Sequence, residues 1–105
     1  MLNMSDPLTT EALLSSNRAL LGAVTPGLRG VTIDYNNQLF VLRAYFDNGA
    51  TDNDKELIDA ALTEVIADLH NQIKEFQFEP IDLNFPNKMA CLKHWVYLRH
   101  EDHEE

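Results

Sequence analysis

Four histidines, one cysteine and a surplus of carboxylates are the residues of this 105-residue chain whose types could do chemistry. His94, His100 and His103 lie near Glu101 and Glu104, a donor mixture that suits a transition metal. If His94 and His100 share one strand they stand about 20 Å apart, too far to bind a single ion. His70 falls at the end of a predicted helix, where an imidazole complements the helix dipole. Cys91 sits between Ala90 and Leu92, without the helix start or cationic setting that lowers a thiol pKa. Acid–base catalysis needs two carboxyls held in unlike environments within a cleft. Asp34 and Asp47 are instead expected at opposite ends of a hairpin region. No glycine-rich phosphate loop, nucleophile elbow or paired-cysteine spacing is present. These residues predict neither enzymatic activity, nor a cofactor, nor a metal site.

The composition sets what must position them. With 45% hydrophobic residues, four Gly and four Pro, the chain reads as one folded domain over residues 1–105, with 1–5 and 101–105 as frayed ends. Seventeen acidic against eight basic residues leave a formal net charge of -9. Such a surface repels phosphate backbones and anionic lipid, which argues against nucleic-acid or membrane binding, and it favours encounter with basic partners. No apolar stretch reaches the roughly 20 residues of a membrane span, and the amino terminus lacks the layout of a secretory signal. A cytoplasmic protein is expected.

Hydrophobic period gives the elements. Asp6 as N-cap and Pro7 in the first turn open a helix running to Val24, with Leu13, Leu20 and Val24 as its apolar stripe. Val31, Ile33 and Tyr35 alternate with polar residues, Asn36-Asn37 supplies a tight turn tolerant of positive φ, and a central strand runs from Gln38 to Phe46. Asn53 and Glu56 have capping-box spacing before a second helix reaching about Gln72, with Ile58, Leu62, Val65, Leu69 and Ile73 on its apolar stripe. Phe76 and Phe78 begin a third strand whose apolar phase slips at Glu79-Pro80, implying a bulge or bend there and an edge position. A last strand spans His94 to His100, with Trp95, Tyr97 and Arg99 expected on one face. Arg43 and Arg99, alone amid strand residues, are expected either to pair with acids or to mark an open sheet face. The predicted fold is α+β, helix-strand-strand-helix-strand-strand, with an antiparallel sheet of about four strands and both helices on one face.

Five short blocks carry a resemblance: Arg18 to Gly22, Val24 to Arg29, Ala44 to Gly49, Thr63 to Asp68, and Trp95 to Arg99. In their order they resemble small bacterial immunity proteins, the cytoplasmic antidotes of contact-dependent growth inhibition and related polymorphic toxin systems. The chain differs from that group in the stretch Asn87 to Lys93. The resemblance implies stoichiometric inhibition of a cognate toxin carboxy-terminal domain, often a nuclease with a basic cleft. By exposure and sign, the toxin contacts expected are Asp52, Asp54, Asp59, Glu64 and Asp68 on or before the second helix, with Glu75, Glu79 and Asp82 on the adjoining strand. Two other readings stand beside it: a homodimer or larger scaffold pairing through a sheet edge, and a small enzyme or carrier with a polar cavity around Asp34, His94 or Arg43.

Overall fold

A computed structural model describes residues 7–101, so the expected Asp6 cap lies outside the described residues. Six elements follow in chain order: α1 (Pro7–Ala19), β1 (Leu28–Tyr35), β2 (Leu39–Phe46), α2 (Asp52–Leu69), β3 (Glu75–Asp82) and β4 (His94–Leu98). That is the predicted helix-strand-strand-helix-strand-strand order, with a four-stranded sheet.

Helix α1 stops earlier than its leucines imply. Leu21 and Ala23 donate to carbonyls three residues back, tightening the chain, and Gly22 takes a φ of +82°, a conformation that glycine adopts without strain. Small side chains make its buried stripe: Ala12, Ser15, Ser16 and Ala19. Leu14, Leu21 and Val24 are exposed. Helix α2 buries Ile58, Ala61, Leu62, Val65 and Leu69 as its period requires. It begins before Asn53. Thr51 is the N-cap, its hydroxyl accepting from the Asp54 N–H at 3.1 Å while the Asp54 carboxylate accepts from the Thr51 N–H at 2.9 Å. This Thr–Asp box replaces the expected Asn53–Glu56 pair.

The sheet order is β3-β2-β1-β4. Strands β1 and β2 form the expected antiparallel hairpin. Its turn uses no positive φ; the Asn36 carboxamide accepts instead from the N–H groups of Gln38 and Leu39. The sheet is mixed rather than wholly antiparallel, because α2 carries the chain back along the sheet and β3 lies parallel to β2. Strand β4 occupies the other edge, antiparallel to β1. The pairing of β3 runs without a break from Glu75 to Asp82, so no bulge exists at Glu79-Pro80. The phase slip there is a change of face: Phe76 and Phe78 pack on the core beneath the helices, whereas Ile81 is paired with Tyr45 on the opposite face. Pro80 does lie on an edge strand.

The irregularities fall elsewhere, between Leu28 and Gly30 against β2 and between Val31 and Thr32 against β4. The second one separates the β4 aromatics. Val96 and Tyr97 both pack on the helix-side core, while Trp95 turns to the other face, its ring 6.3 Å from that of Tyr45. Residues 83–93 form a strap over that face. The Tyr45 hydroxyl donates to the Ala90 carbonyl at 2.7 Å and accepts from its N–H at 3.1 Å. Thr32 Oγ1 accepts from Leu92 N–H at 2.9 Å and donates to His94 O at 2.7 Å. Helices therefore cover one face of the sheet and a loop closes much of the other.

Candidate functional site

Alignment of the acidic side chains follows from helical geometry and strand register. At 100° per residue, Asp52 and Asp59 fall within about 20° of each other around α2, whereas Glu64 and Asp68 lie roughly 120–180° away, on the flank toward α1. Asp54 is occupied as the partner of Thr51. On β3, Glu75 and Glu79 project with Leu39 and Arg43 from the face away from the helices, and Glu79 accepts from Arg43 Nε at 2.9 Å. Asp82 lies on the helix side and binds Lys55 at 2.9 Å. The eight expected contacts are thus not one patch. The structure brings Glu64 and Asp68 together with α1 and sets Glu75 and Glu79 on the opposite side of the sheet.

What Glu64 and Asp68 join is a furrow between the helices. One hollow of about 430 Å³ is bordered by Leu21 and Glu64, a second of about 230 Å³ by Glu11 and Leu14, and Ser15, Arg18 and Asp68 border both. Ser15 Oγ donates to Asp68 Oδ2 at 2.6 Å and Arg18 reaches the same oxygen at 3.3 Å. The Ser15 hydroxyl first, and then the Arg18 guanidinium, hold the Asp68 carboxyl below its ordinary range. The exposed Leu14 and Leu21 of this furrow do not belong to the predicted stripe, which ran through Leu13, Leu20 and Val24. An apolar stripe in which alanine and serine recur at the same spacing was the available signal.

A second charged group sits where β1, β2 and the strap meet. Arg29 and Glu101 are buried, with 1% and 3% of their side chains exposed, and pair at 2.8 Å. Arg29 Nη1 also donates to the Leu83 carbonyl at 2.7 Å. Arg99 spans Glu101 at 2.8 Å and Asp47 at 2.7 Å. Arg99, with the Phe85 N–H, pushes the Asp47 carboxyl down to about 2. Arg29 and then Arg99 likewise hold Glu101 below its ordinary value. Glu101 therefore belongs to the folded body rather than to a tail. Arg43 and Arg99 are both paired with acids, the first of the two alternatives open to them.

The residues that invited a catalytic reading have structural neighbours. His94 Nε2 lies 3.0 Å from the Tyr35 hydroxyl, which donates to Thr9 Oγ1 at 2.8 Å. Asp34 accepts from the Tyr35 N–H and borders a hollow of about 70 Å³, below the several hundred Å³ usual for a ligand pocket. Among the described residues no group of three or more His, Cys, Asp or Glu is arranged to hold a metal; His103 lies outside them. No helix among the described residues is long and apolar enough to cross a membrane.

A family model described as MafI2 immunity protein matches residues 9–101. The chain belongs to that family. No curated protein matches it. The MafI2 match runs from the first turn of α1 to Glu101, so it takes in all six elements, the strap and the buried Arg29–Glu101 pair. The stretch Asn87 to Lys93 lies inside the matched region and is part of the strap that closes the sheet. Membership of an immunity family implies a cognate toxin as the partner of this MafI2 protein.

Proposed function

We propose that this protein neutralises its cognate toxin by tight one-to-one binding in the cytoplasm, without chemistry of its own, and that the toxin domain is basic, a nuclease being the best fit. Family membership supports the immunity role. The sign of the partner rests on one structural observation, the unequal use of charge. All four arginines are engaged in ion pairs with this chain's own acids. Asp52, Asp59, Glu64 and Glu75 make no side-chain hydrogen bond or ion pair among the described residues, so surplus negative potential faces outward. A cleft that holds a phosphate backbone is complementary to such a surface, and steering of this kind raises association rates more than it raises affinity.

Co-expression with the toxin domain encoded in the adjacent reading frame tests the role directly: growth is restored against that domain and not against unrelated toxins. Purified partners test the sign. The double reversal Asp59→Lys and Glu64→Lys is expected to slow association by about tenfold or more at low salt and to flatten its salt dependence. An unchanged rate and an unchanged salt slope would remove the electrostatic part of the reading.

A further inference from the structure

The furrow between α1 and α2 has a composition that folding does not account for. Leu14 is 56% and Leu21 79% exposed, while the residues that α1 buries are alanine and serine. Seven positions apart, the two leucines stand over the two hollows, one each. Carboxylates rim the same furrow, with Glu11 at one hollow, Glu64 at the other and Asp68 between them. Against these stands a single cation on the rim, Arg18, already turned onto Asp68.

That ion pair has the character of a placeholder. Its side chains are 67% and 43% exposed and its separation is 3.3 Å, so opening it costs little. Asp68 would not swing away if Arg18 left, because the Ser15 hydroxyl holds Oδ2 at 2.6 Å. Oδ1 of Asp68 receives no hydrogen bond from the described residues and remains open to an incoming donor. Apolar knobs beside fixed carboxylates match the usual anatomy of a protein interface, in which buried anchors supply affinity and rim charges supply orientation.

Resting on the immunity reading above, we propose that the α1–α2 furrow is the surface that receives the toxin. The occupant is a segment of the basic domain whose apolar side chains seat on Leu14 and Leu21. A lysine or arginine of that segment takes the place of Arg18 on Asp68. Charge complementarity selects this occupant over a second copy of the chain. Face-to-face association of two furrows would set Glu11, Glu64 and Asp68 against their own counterparts, on molecules each carrying a net charge of -9.

The experiment measures binding of a catalytically silenced toxin domain from the adjacent reading frame to the full chain and to four variants, each first checked for a native melting transition. Leu21→Glu is expected to weaken binding by about 30-fold or more, and Leu14→Glu with Leu21→Glu further still. Arg18→Gln is expected to bind as tightly as the parent or more tightly, since it removes a competing cation. Glu75→Lys, on the opposite side of the sheet, is expected to stay within about threefold of the parent. Parent-like affinity in the double leucine variant overturns the furrow, as does a loss in Arg18→Gln equal to that in Leu21→Glu. If sedimentation shows a parent dimer that Leu21→Glu dissociates, the occupant is a second copy and the proposal falls. A parent chain that neither binds the domain nor protects cells refutes the immunity reading itself, a result distinct from any difference among variants.

Discussion

Arg29 and Glu101 show at the scale of single residues how far this fold depends on charges hidden from water. Each is nearly fully enclosed, and the guanidinium has two further acceptors within reach, the second Glu101 oxygen at 3.0 Å and the Leu83 carbonyl at 2.7 Å. A buried pair is strongly destabilised when one partner is removed, because the other keeps its desolvation penalty. Glu101→Ala is therefore expected to lower stability by about 3–5 kcal/mol in urea denaturation, although it sits four residues from the chain end. A loss below about 1 kcal/mol, the scale of an exposed pair, would show that water reaches Arg29. Neither residue was legible in the sequence as a pair. Arg29 reads there as the approach to a strand and Glu101 as the start of a charged tail, and only a bulge beside Gly30 turns the arginine inward.

Among the elements, those defined by local period were readable and those defined by partners were not. The α2 stripe, the β1–β2 hairpin and the edge position of Pro80 each follow from a pattern within a dozen residues. The direction of β3 does not, since it depends on where α2 delivers the chain. The buried face of α1 was legible in part: Leu20 is buried and Leu13 packs on the core, but Val24 is exposed and Ala12, Ser15, Ser16 and Ala19 make up the rest of the buried face. At the start of α2 the capping box lies two residues before the Asn53–Glu56 spacing. Thr51→Ala removes the hydroxyl that receives the Asp54 N–H and is expected to cost about 1 kcal/mol, read as a lowered melting temperature. Asn53→Ala, which leaves that box intact, is expected to change stability by no more than about 0.5 kcal/mol.

The whole molecule carries its negative charge unevenly, and two opposed effects of pH follow. From neutrality toward the sequence isoelectric point of about 4.7, protonation relieves self-repulsion. Below it the paired carboxylates dominate. Asp47 titrates near 2 in the fold against an ordinary 3.8, and Asp68 and Glu101 are shifted in the same direction. A carboxyl with a depressed pKa stabilises the fold above its unfolded value and loses that contribution as acid protonates it. Melting temperature is thus expected to fall between about pH 4 and pH 2. A melting temperature that held steady across that interval would mean the Arg99 contacts do not persist in solution. The candidate site was legible at this scale only as a sum: the sequence counts the carboxylates, but the turn of α2 and the register of β3 decide that Glu64 and Asp68 meet α1 while Glu75 and Glu79 face away.

The strand order β3-β2-β1-β4 has a consequence during synthesis. Strand β1 is finally flanked by β4, so it keeps one bare edge until β4 has been made. The strap, which crosses the sheet just before β4, is equally late. A nascent or prematurely terminated chain would present unpaired backbone beside Val31 and Ile33, a template for aggregation rather than a partly working antidote. Protection should therefore arrive all at once, when β4 pairs with β1.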